Sequence, residues 1–175
     1  MRHLATIILV LIIGSCYGQS NSKIEKIRKI YHTVNDSTSY FSKRSKDFYG
    51  KSSEGGEIEL FSLNQNIKKA IIYYYGEMGK RTKEYYFKDN SLCFVFDVYF
   101  NYDRPISQGN ISIKSKEENR YYIWNGDIIK YIDPKGRTFL DEQIPNEKRK
   151  WQVIDYEQTE IKKILKSELS GANFK

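Results

Sequence analysis

The sequence predicts an α+β domain: a single antiparallel β-meander sheet, built from repeated hairpins, packed against N- and C-terminal amphipathic helices. Three observations predict it. Between about residues 57 and 138, runs rich in β-branched and aromatic residues alternate with short turns of Gly, Asn and Asp. Two hairpin segments, Glu84–Leu92 and Arg120–Ile128, align without a gap, 36 residues apart. Apolar residues recur at helical spacing on both flanks of that region. Short turns join only antiparallel neighbours, so consecutive hairpins extend one sheet.

The chain opens with an expected export signal over residues 1–18. Arg2 supplies the positive start, and Leu4 to Ile13 is apolar but for Thr6. Ten helical residues span about 15 Å, half of a hydrocarbon core, which is too short for a membrane anchor. Two processing routes fit. Cleavage after Gly18 places small residues Cys16 and Gly18 before the cut and leaves Gln19 first. Alternatively, Ile13-Gly14-Ser15-Cys16 matches a bacterial lipobox, and Cys16 would be lipidated. Residues 19–175 then make one domain.

A first helix is expected over about 23–35. Ser22 and Glu25 have capping-box spacing, and Ile24, Ile27, Ile30, Tyr31 and Val34 form its apolar stripe. Asn35-Asp36-Ser37 ends it. Residues 36–56 are polar and read as an irregular segment pinned by Phe41, Phe48 and Tyr49. Strands are expected at Ile67–Tyr75, Thr82–Lys88, Leu92–Tyr102, Arg120–Trp124 and Asp127–Ile132. On Leu92–Tyr102, alternation puts Leu92, Phe94, Phe96, Val98 and Phe100 on one face. The Asn125-Gly126 pair is the strongest turn signal, because both residues tolerate positive φ. Leu60–Ile67 reads as a looser, slightly longer third hairpin copy. Asp155 and Gln158 open a last helix, about 155–169, with Ile161, Ile164, Leu165 and Leu169 along one side.

The residues Tyr74-Tyr75-Gly76-Glu77-Met78-Gly79-Lys80, Glu84-Tyr85-Tyr86-Phe87, Phe94-Val95-Phe96 and Asn101-Tyr102-Asp103-Arg104-Pro105-Ile106 carry a resemblance. Over about 24–132 the chain resembles a family of small, exported bacterial proteins with no established activity. Its hairpins loosely resemble MORN-variant repeats, with Tyr121-Tyr122 and Asn125-Gly126 closest to that pattern. Neither resemblance implies a catalytic residue.

Composition narrows the function classes. Lys+Arg 29 against Asp+Glu 22 gives +7, aromatic residues make up 15% of the chain, and the mean hydropathy is −0.66. A polytopic membrane protein is too apolar to match that, and a disordered tail too poor in aromatics. With 2 Cys and 2 His, no metal site, catalytic set or cofactor is assigned. Cys93 reads as a buried thiol. There is no nucleophile elbow, phosphate loop, HExxH or CxxC.

The candidate ligand-binding residues are Tyr74, Tyr86, Tyr122, Glu57, Glu77 and Arg104. The tyrosines qualify because the helices cover one sheet face, leaving the other rich in amphipathic rings. Cover from residues 36–56 or the C-terminal region is the alternative. Glu57 and Glu77 are turn carboxylates, and Arg104 either grips an anion or pairs with Asp103 or Asp97. The expected role is an exported, non-catalytic binding or scaffolding module of the bacterial envelope. It would sit in the periplasm or outside the cell, or be held by lipid at Cys16. Its partner would be an envelope protein or glycan, not nucleic acid, and a membrane only if Cys16 is lipidated. The rival roles are a hydrolase of envelope polymers using Glu54, Glu57 or Glu77, and an inhibitor of a partner enzyme.

Overall fold

Among the described residues, eight strands pair in the order in which they occur along the chain, each antiparallel to the next. They are β1 (Ser42–Phe48), β2 (Gly56–Leu63), β3 (Asn66–Gly76), β4 (Gly79–Lys88), β5 (Ser91–Tyr102), β6 (Ile113–Trp124), β7 (Asp127–Ile132) and β8 (Thr138–Leu140). This computed structural model describes residues 20–48, 52–64 and 66–149. The export signal with Cys16 and the expected helix at 155–169 lie outside the described residues.

A helix, α1, occupies residues 20–36 and packs on one face of the sheet. Ile24, Ile27 and Val34 are its buried stripe, as the spacing requires. Ser22 lies inside this helix and is not its N-cap. At the other end, the Thr38 hydroxyl lies 3.0 Å from the Val34 carbonyl and 2.9 Å from that of Asn35, among the helix's last carbonyls. Beneath α1 sit Tyr86, Cys93, Phe94, Tyr122 and Ile129. The opposite face gathers Ile58, Leu60, Ala70, Ile72, Tyr85, Val95, Tyr121 and Tyr131. Residues after β8 return over that second face: Ile144 is buried in its cluster, and the Lys148 ammonium stands 5.8 Å above the Tyr131 ring.

Three hairpins share one irregularity. The register slips at Phe61/Ser62 in β2–β3, at Tyr86/Phe87 in β4–β5 and at Tyr122/Ile123 in β6–β7. The extra residues are Lys68, Cys93 and Ile129, each the same distance from its turn. Positive φ at Asn64, at Asp89 and Asn90, and at Asn125 and Gly126 marks those turns. The Leu60–Ile67 copy is therefore the same length as the others. The bulge also corrects the expected alternation on β5. Leu92 packs with Val95 on the second face, whereas Cys93 and Phe94 both turn toward α1.

The sequence reading missed β1, the three-residue β8 and the first half of β6. β1 is a polar edge strand, with residues 42–47 exposed, so it carries no apolar period. Its lysines and arginine suit an edge that must not recruit another strand. β6 begins at Ile113, seven residues before the expected start. Residues 113–117 are exposed there and are held by pairing with β5.

The turn between β3 and β4 needs glycine for space. A Cβ on Gly79 would sit 2.4 Å from the Phe100 carbonyl oxygen, a backbone atom. At Gly126 nothing lies within 4 Å, and only its φ of +90° objects to a side chain. Gly79→Ala should thus cost about 1–3 kcal/mol of stability as an overpacked site. Gly126→Asn should cost a few tenths of that range, because Asn tolerates the left-handed region. Urea denaturation of both variants checks the order; a larger loss in Gly126→Asn would contradict it.

Candidate functional site

Consecutive residues of a strand point to opposite faces, so Tyr85-Tyr86 and Tyr121-Tyr122 each place one ring on either side of the sheet. All four are buried. The bare tyrosine-rich face expected from the sequence is absent, because α1 covers one side and a second core fills the other. Burying such a ring contributes about 1.5–3 kcal/mol, provided the hydroxyl keeps a partner. Tyr86 is 0% exposed and donates to Glu84, which is also paired with Lys69 at 2.7 Å. The Lys69 ammonium donates to Asn35 near the end of α1, at 3.0 Å. Burial, then the Glu84 charge, hold the Tyr86 phenol far above its usual range. Tyr86 is a structural anchor for α1.

Tyr122 floors a small cleft along one flank of α1, about 230 Å³, with Phe94 and Phe96. Arg28, His32 and Arg120 line it as well. Arg120 bonds Glu118 at 2.6 Å and lies over the Phe96 ring. The volume is below the roughly 300–1,000 Å³ of ordinary small-molecule sites.

Tyr74 and Glu77 come together in a larger, open pocket of about 720 Å³ at the β3–β4 turn. Gly76 and Gly79 keep this turn narrow, and Tyr75, Met78, Tyr99, Arg81 and Lys83 complete the lining with Ser52 and Ser53. Tyr99 and Met78 are 40% and 50% exposed here, and Tyr75, 37% exposed, borders the same turn from the α1 side. Tyr75 and Tyr99 stand outside the candidate ligand-binding set taken from the sequence. For Tyr75 the signal available was its place beside a two-glycine turn; Tyr99 reaches that turn only through the β4–β5 register.

The cations of this pocket are fixed from below. Arg81 makes a two-pronged contact with Asp97, Nε to Oδ1 and a terminal nitrogen to Oδ2, both 2.7 Å. Asp97 is 2% exposed and stands opposite Lys83 in the β4–β5 register. Cation and carboxylate thereby orient one another.

Glu57, Arg104 and Cys93 stand elsewhere. Glu57 lies on β2 opposite Tyr73 and Asp47. Glu54 occupies the turn before it, where its N–H donates to the Tyr75 carbonyl. Glu77 accepts a hydrogen bond from the Ser107 hydroxyl at 2.6 Å. Of these three carboxylates, Glu77 alone is among the described residues lining the pocket. Arg104 pairs with Asp103 at 3.1 Å, the internal alternative weighed from sequence, while Asp97 is taken by Arg81. The Cys93 thiol donates to the Tyr86 carbonyl, and burial pushes its pKa up to about 12. It is no nucleophile at neutral pH.

Comparison with protein-family models, curated proteins and solved structures finds no match to this chain. The pocket's chemistry therefore rests on its own residues. Among the described residues, no helix is long and apolar enough to cross a membrane.

Two outcomes follow. Asp97→Ala removes the carboxylate beneath Arg81 and should cost about 3 kcal/mol, the low end for a broken buried pair because Arg81 can reach water. Chemical denaturation measures it, and a loss under 1 kcal/mol would contradict the orienting role. Asp103 is held at about 2, chiefly by the Ser112 backbone N–H and then by Arg104, against the usual 3.8. A lowered carboxylate pKa stabilises above the ordinary value and loses that contribution as pH falls toward about 2. The Ser112 amide resonance should titrate near 2; a midpoint near 3.8 would show the contact absent in solution.

Proposed function

We propose that this chain is an exported, non-catalytic binding module of the bacterial envelope, which engages an envelope glycan or protein through the β3–β4 end of its sheet. The observation that carries the reading is the open pocket of about 720 Å³ where Tyr74 and Tyr99 meet Arg81 and Glu77, with the Tyr75 ring at its rim on the α1 side. Tyrosines offer broad apolar area with a polar tip and lose little conformational freedom on contact. Arg81, whose side chain keeps 35% of its surface exposed above Asp97, favours acidic partners such as uronate-bearing glycans or carboxylate-rich protein loops.

On the α1 side of the same end, Tyr73 and Tyr75 stack in parallel at 6.2 Å. Lys80 and Lys116 stand over opposite flanks of Phe100, at 5.3 and 5.7 Å from its centroid. The aromatic and cationic surface thus continues past the pocket rim. The export signal read from residues 1–18 is the ground for the compartment and disfavours nucleic acid as partner. The hydrolase alternative would need two of Glu54, Glu57 and Glu77 across one cleft, and no observation gathers them there.

Tyr75→Ala and Tyr99→Ala test the proposal, since both rings are partly exposed and their loss should leave the fold intact. Each should weaken capture of acidic envelope glycans or a co-purified envelope protein about tenfold, with an unchanged melting temperature. Unaltered capture by both variants would overturn the reading.

A further inference from the structure

The buried stripe of α1 leaves a second depression along its other flank, about 450 Å³, between the helix and the hairpin turns. Its apolar lining includes Ile30, Val34, Phe41 and Leu63. Leu63 is 40% exposed, although it closes a strand whose counterparts in the other hairpins are Lys88 and Trp124. Four lysines line the same depression: Lys26 and Lys29 from α1, Lys68 from β3 and Lys88 from β4. Among the described residues, none of the four forms a salt bridge. Asp89 is the single carboxylate in the described lining, so the groove carries a local excess of positive charge.

Lys68 departs from the repeat in the same direction. It is the bulge residue of the first hairpin, and its equivalents Cys93 and Ile129 are buried apolar residues beneath α1. At this one bulge an ammonium lines the groove instead. Four like charges around an apolar trough repel one another unless an anion joins them. An apolar floor would in turn gain about 0.8 kcal/mol for each methylene buried on it.

We infer that this groove binds a single-chain amphiphile with a carboxylate head, of the fatty-acid class, its chain on Leu63, Phe41 and Ile30 and its head among Lys29, Lys68 and Lys88. The volume lies within the range of sites that enclose one small ligand. It is an open depression beside α1, distinct from the tyrosine pocket at the β3–β4 turn.

Titration calorimetry of the purified protein with dodecanoate, kept below its micellar concentration, tests the inference. Saturable one-to-one binding is expected, and dodecanol should bind at least tenfold more weakly. The double variant Lys68→Glu/Lys88→Glu should raise the dodecanoate Kd at least tenfold with its melting temperature unchanged. Leu63→Asp, a change at a half-exposed site, should do the same if the double variant folds poorly. Tyr99→Ala should leave dodecanoate binding intact, which separates this groove from the β3–β4 pocket. Equal affinity for acid and alcohol would overturn the inference. So would the lack of saturable binding, or association with anionic phospholipid vesicles alone.

Discussion

Both faces of the central sheet must be kept from water, and the rest of the structure follows from that constraint. Its source is the pair of adjacent tyrosines at the ends of β4 and β6. Tyr85 and Tyr121 go to one side, Tyr86 and Tyr122 to the other, and none can be left bare without losing a large burial term. α1 answers the demand on one face. On the other, the central strands form a second apolar cluster into which Ile144 from beyond β8 is inserted. Antiparallel sheets commonly leave one face wet; the middle of this one leaves neither.

Covering both faces confines accessible surface to the ends and margins. At the β3–β4 end the strands run past their cover, and Tyr75, Met78 and Tyr99 are left in reach of solvent. At the turn end, α1 meets the hairpin tips across a depression that its apolar stripe does not fill. The same helix therefore buries the expected recognition rings and leaves depressions at its margins. The polar groups that keep it seated, Lys69, Glu84, Tyr86 and Asn35, form one connected set in which the buried cation, carboxylate and phenol each have a partner.

The recurring bulge gives the hairpins a shared geometry with different chemistry. Each extra residue turns two successive side chains toward α1, which strict alternation would not do. Where the extra residue is Cys93 or Ile129, it thickens the core; where it is Lys68, it lines a groove. A repeated backbone device with one divergent side chain thus changes the local surface without a new element.

Much of this fold was legible from residue order. Asn125-Gly126 and Asp89-Asn90 mark their turns because few residues tolerate positive φ, and the stripe Ile24, Ile27, Val34 marks α1 because its period is local. Short turns then dictate which strands are neighbours, and the meander needs no long-range information. What residue order could not carry was which faces are covered. β1 and the first half of β6 are strands because a neighbour pairs with them, not because of their own pattern. The one-residue slip at Cys93 reverses the expected side of Leu92, and only the paired register reveals it. For the same reason Tyr86 and Tyr122, chosen as contact residues, became anchors, while Tyr75 and Tyr99 kept their exposure. Sequence by itself determined α1, the central hairpins and their order, because these depend on local φ preference and local period. Only the tertiary structure decided which tyrosines meet solvent, because exposure depends on what packs above a residue, and that comes from distant parts of the chain.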